Sequence, residues 1–81
     1  MEKDVRRYFY SYIMRQTENI SHLVRIANEL YRGGVTDMDT LCELLENHPG
    51  KVRSIRNIGE KSVILAQEVC KAYRQERGDS V

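Results

Sequence analysis

The stretch "IRNIGEKSV", residues 55–63, sets an apolar residue and a glycine, Ile58-Gly59, ahead of a long helical pattern, with Lys61 and Ser62 just beyond. Two readings of it are open. A turn of the form apolar-Gly between a short helix and a longer one lets the backbone reach a positive φ and come close to a ligand. The first amides of the second helix then have no partner within it and carry the positive end of the helix dipole. A phosphate is the natural occupant, with Lys61 adding charge and Ser62 a hydroxyl, and with Arg56 and Asn57 in the turn itself. In the plainer reading Gly59 only turns the chain, Ser62 bonds its own helix, Lys61 is solvated, and Glu60 favours the dipole and keeps anions away.

The pattern upstream and downstream is helical throughout. Val5, Tyr8, Phe9, Tyr12 and Ile13 fall at i, i+3, i+4, i+7 and i+8, the stripe of an amphipathic helix, and four of the six aromatic residues lie between positions 8 and 12. So much aromatic area must cover either the body of the domain or the same helix of a second copy, a homodimer. Asn19 or Ser21 can cap a second helix, "SHLVRIANELYR", whose Leu23, Ile26, Ala27 and Leu30 share a face and which Gly33-Gly34 stops. Thr36, with Asp39 three residues on, predicts a capped third helix with Met38, Leu41, Cys42, Leu44 and Leu45 inward, ending near Asn47. Pro49 suits the first position of a short helix, "PGKVRSI". The last helix, "EKSVILAQEVCKAYRQE", turns Val63, Ala66, Val69, Cys70 and Tyr73 inward.

No strand-like alternation and no repeat interrupts this, so the fold class is all-α: five helices in one small domain. The organisation expected is an N-terminal amphipathic helix over 1–18, for packing or dimerisation, a helical domain over 19–76 and a frayed tail over 77–81. Hydrophobic content of 41%, charged content of 31% and a single proline describe a folded chain rather than a disordered one. No apolar run approaches the roughly 18–20 residues that cross a bilayer, and no secretory signal is readable, which makes the cytoplasm the expected compartment. The Arg77-Gly78-Asp79 tripeptide carries no weight without an export signal.

Net charge is only +1, but it is unevenly spread. Residues 37–46 hold Asp37, Asp39, Glu43 and Glu46 with no basic residue, whereas residues 51–61 hold Lys51, Arg53, Arg56 and Lys61 against Glu60 alone. One end of the molecule is expected to be basic and another acidic. His22, Cys42, His48 and Cys70 match no zinc spacing, and both cysteines read as buried small hydrophobes. "GEKS" lacks the upstream glycine of a nucleotide-hydrolysing loop, and no nucleophile has an adjacent base in the sequence. The expectation is a protein without catalysis, metal or cofactor.

Arg25 and Asn28, three apart on the second helix, share a side that adjoins its apolar face. With "VRIAN" at 24–28, "GGVT" at 33–36 and "IRNIGEKSV" at 55–63, the chain resembles the carboxy-terminal domain of the bacterial RNA polymerase alpha subunit over residues 21–73. In that family a helix carrying Arg-x-x-Asn precedes a short helix and a segment like "VRNLGRKSLEE". The resemblance implies a helix-hairpin-helix and contact with double-stranded DNA. The arginine matching Arg25 enters an A/T-rich minor groove, whose narrowness concentrates negative potential. Asn28 and the hairpin residues matching Arg56, Asn57, Gly59, Lys61 and Ser62 grip the flanking backbone. RNA polymerase or a transcription regulator is the implied protein partner.

The chain departs from the family pattern at Glu29, Glu60 and Leu65, in a longer link before the hairpin, and in its aromatic first helix. Glu29 and Glu60 add negative charge near the face matched to DNA. They support a rival reading, a protein-interaction adaptor that keeps the fold and has lost its nucleic-acid contacts.

Overall fold

A computed structural model describes residues 2–78. Five helices follow in order: α1 (Val5–Ile13), α2 (Ile20–Arg32), α3 (Met38–Asn47), α4 (Pro49–Arg53) and α5 (Glu60–Arg77). No strand occurs among the described residues, and the single β-bridge joins Asp4 to Asp37. One core gathers side chains from every helix, including Phe9, Ile26, Leu41, Val52 and Tyr73.

Asp4 caps α1, its Oδ2 accepting from the Arg7 amide at 3.0 Å. The aromatic stripe is used inside the molecule. Val5, Tyr8 and Phe9 are buried, Tyr12 and Ile13 pack against the same core, and α1 lies on α2 and α3. The Tyr8 ring meets Tyr73 edge-on with centroids 5.2 Å apart, and its hydroxyl donates to Glu76. The homodimer expected through Val5, Tyr8, Phe9, Tyr12 and Ile13 is therefore corrected: of its two proposed coverings, the stripe has the body of the domain. Burying these rings within the chain removes their apolar area from water without a second copy.

The cap of α3 also differs from expectation. Asp37, not Thr36, stands at the N-cap and accepts from the Thr40 amide at 3.2 Å. The extended segment before α3 is held against the start of the chain, with the Val5 amide donating to the Thr36 carbonyl and the Met38 amide to the Lys3 carbonyl. Asp39 is freed from any capping role and takes Tyr73 as a hydrogen-bond donor and Lys3 and Arg77 as ion-pair partners.

At the start of α2 neither expected cap operates. Asn19 is in the left-handed conformation, φ 61°, and its side chain makes no capping bond. An N-cap side chain reaches the first amides from extended backbone, which Asn19 does not have. The α2 stop is as expected: Val35 donates to Leu30 and Gly34 to Tyr31, a Schellman pair of bonds with Gly34 at φ +90°. The link then brings α4 up against α3 and α5. It is shorter than "PGKVRSI", since Ser54 closes it. Arg77, expected in the tail, is the last helical residue and Gly78 its left-handed cap, while residues 79–81 lie outside those described.

Candidate nucleic-acid interface

The turn between α4 and α5 is built differently from the expectation for an apolar-Gly turn. The left-handed residue is Asn57, φ 67°, and Gly59 sits in extended backbone at φ −109°. Asparagine tolerates this region better than other side-chain-bearing residues. A Cβ at Gly59 meets nothing within 4 Å, so neither sterics nor φ demands glycine there. Gly59 instead leaves the N-cap of α5 without a capping side chain, so its first amides keep no partner of that kind.

Asn57 is not a free contact residue. Its side-chain amide donates to the Glu29 carboxylate, which also takes Arg32 Nη1 at 3.3 Å. Glu29 is only 6% exposed, so this carboxylate is an internal tie between α2 and the turn rather than a repulsive charge on the surface. Glu60 is likewise occupied: Arg53 Nη2 lies 3.1 Å from its carboxylate, clamping α4 to the first turn of α5. Leu65, the third departure from the family pattern, is a core residue.

Ser62 also departs from its expected part. It is 4% exposed, and its Oγ lies 2.9 Å from His22 Nε2. Facing α2 from the third position of α5, the hydroxyl is turned away from any ligand bound outside and joins the two helices. Burial, with Arg25 and then Lys61 acting on the ring, holds the His22 imidazole below its ordinary titration range. The His22–Ser62 contact joins the turn of α2 that carries Arg25 to the first turn of α5, where Lys61 precedes Ser62.

The remaining residues spread along α2 and α4. Asn28 is half-buried and lines a cleft with Arg6, Tyr31 and Arg32, toward α1 rather than toward Lys61. Arg56 borders an open groove of about 900 Å³ together with Arg32 and Lys51, over apolar Val35, Leu44 and Ile55. Arg25, Lys51, Arg56 and Lys61 are all exposed, and none has a carboxylate partner among the described residues. Arg6 and Lys71 likewise have no carboxylate partner there, while Arg74 pairs with Glu46 at 2.7 Å and Arg15 with Glu76 at 3.5 Å.

His22, Arg53 and Lys51 are not among the contact residues the sequence pointed to, although Lys51 and Arg53 belong to its basic stretch. His22 stands three positions before Arg25, the spacing that puts two side chains on one side of a helix; weighed only as a metal ligand, it escaped that use. No helix among the described residues is long and apolar enough to cross a membrane.

The fold defines an all-α domain of five helices. No protein-family model matches the chain, and neither does any curated protein or any solved structure. The resemblance to the polymerase alpha domain therefore rests on the residues quoted from 21–73 alone.

Proposed function

We propose that the chain is a non-enzymatic DNA-binding module of a transcription-related protein, similar to the polymerase alpha carboxy-terminal domain. One observation carries this reading. Arg25, Lys51, Arg56 and Lys61 have no carboxylate partner, whereas the two glutamates that argued against an anion, Glu29 and Glu60, are each engaged by an arginine. Arg25 enters an A/T-rich minor groove, and Lys61, Arg56 and the open start of α5 hold phosphates on either side. Here α4, the turn and α5 serve as a helix-hairpin-helix. Asn57, exposed but tied to Glu29, sets the turn, and buried Ser62 joins α5 to α2. RNA polymerase or a transcription regulator is the proposed protein partner.

The test is a fluorescence anisotropy titration of an A/T-rich duplex at low salt with wild type, Arg25→Ala and Lys61→Ala. The reading expects each variant to bind more weakly while keeping its far-UV circular dichroism and melting temperature. Equal binding by all three proteins, or no binding by the wild type, overturns it.

The adaptor reading keeps one specific support, the groove whose apolar floor of Val35, Leu44 and Ile55 is bordered by Arg32, Lys51 and Arg56. An adaptor elutes from heparin at low salt and leaves the duplex unbound, so one column run and one titration separate the two readings.

A further inference from the structure

The cluster of His22, Arg25, Lys61 and Ser62 contains a group that the DNA reading does not use. His22 is half-buried between α2 and α5, and its Nε2 lies 2.9 Å from Ser62 Oγ. The charged groups that act on the ring are Arg25 from its own helix and Lys61 from α5, and no carboxylate among the described residues pairs with it. A third titratable group set beside two unpartnered cations is well placed to answer an incoming polyanion.

We infer that His22 is a proton-gated member of the anion-binding face, neutral in the free protein and protonated when a phosphate backbone lies across Arg25 and Lys61, so that binding DNA takes up one proton. This inference rests on the DNA-binding reading.

The physical argument is one of electrostatic balance. In the free protein, burial and the two neighbouring cations disfavour the imidazolium, and its ring serves as hydrogen-bond partner to the Ser62 hydroxyl. Whichever nitrogen carries the hydrogen in the neutral ring, Ser62 Oγ has both an O–H to donate and lone pairs to accept, so the contact survives protonation with the imidazole as donor. A phosphate backbone drawn to Arg25 and Lys61 cancels the repulsion that these cations exert and adds a negative charge that favours the imidazolium. The ring then titrates higher in the complex than in the free protein. By linkage, affinity rises as pH falls through the interval between the two titration points, about tenfold for each pH unit that separates them. Carboxylates titrate well below this interval, and the only other imidazole is His48, which lies at the junction of α3 and α4.

The experiment is an anisotropy titration of an A/T-rich duplex of about 20 base pairs at constant ionic strength from pH 5.5 to 8.0, with wild type, His22→Gln and His48→Gln. Gln can still bond the Ser62 hydroxyl but carries no charge. Proton NMR of the imidazole signals, with and without duplex, is the second measurement. Expected are a tighter complex toward pH 5.5 in the wild type and His48→Gln, at least threefold, a flat profile in His22→Gln, and an upward move of the His22 titration on adding DNA. Binding with an unmoved His22 titration, or with the same pH profile in His22→Gln, overturns the inference while leaving the DNA reading intact. No binding at any pH overturns both.

Discussion

At the scale of single residues, Asn57 and His22 show how a polar side chain is tied to one job. Asn57 holds a left-handed backbone and satisfies a buried carboxylate at once. Asn57→Ala loses both, and should cost about 2.5–5 kcal/mol, the sum of a left-handed penalty and a hydrogen bond to a charged group. Asn57→Gly keeps the backbone and loses only the bond, so it should fall between Ala and wild type in urea denaturation; equal losses would remove the backbone from the account. His22 gives a prediction in pH. Its folded titration point lies below its ordinary value, so below about pH 6.5 the unfolded chain binds the extra proton and stability falls. His22→Gln should lose less stability than wild type between pH 7 and pH 5 in thermal melts without DNA.

At the scale of the helix, α5 has no side-chain cap at its N-terminus. Gly59 has backbone angles open to other residues and space for a Cβ. Gly59→Asp should therefore stabilise the domain by a few tenths of a kcal/mol up to about 1, read as a raised urea midpoint, because an N-cap carboxylate satisfies free amides. On the DNA reading the same variant weakens duplex binding, since a carboxylate then occupies the place of a phosphate. Gain of stability with unchanged binding would separate α5's N-terminus from the interface. Gly34 behaves oppositely: at φ +90° the Gly34→Ala change should cost about 1–2 kcal/mol by chemical denaturation.

The legibility of these elements in the sequence followed the strength of their periodicity. Apolar spacing located four of the five helices, Pro49 marked the start of the short α4, and Gly33-Gly34 marked the α2 stop because only glycine readily takes the left-handed turn. Caps were harder. Thr36 and Asp37 are both good N-cap residues, and the choice between them was made by the Lys3–Val5 segment lying alongside, through bonds 31 and 35 residues apart in sequence that no local pattern carries. The candidate site was half legible. Arg25 and Lys61 belong to recognisable motifs, but whether Glu29 faced water or a partner depended on Asn57 across the fold.

For the whole molecule, the single core makes α1 a structural necessity rather than an appendage. Phe9→Ala empties a fully buried site and should remove about 3–5 kcal/mol, a large part of what a domain of this size holds, so the variant should melt far below wild type. The charge distribution sets the salt response. Arg25, Lys51, Arg56 and Lys61 together on duplex DNA give a slope of about −3.6 for log affinity against log salt, or about a twelvefold loss for each doubling of salt. A slope near zero in the same titration would mean that phosphates are not what these side chains hold.

Asp39 receives Lys3 from one end of the chain and Arg77 from the other, so the first and last turns of the molecule meet at a single carboxylate. That meeting point is one length of α5, about 26 Å at 1.5 Å per residue, from Gly59. A short glycine-serine bridge can close the polypeptide into a ring there, and new ends cut between α1 and α2 would give a permuted protein that keeps its packing. A fluorophore or surface tether placed at Glu2 or Gly78 would stand clear of the α4–α5 turn.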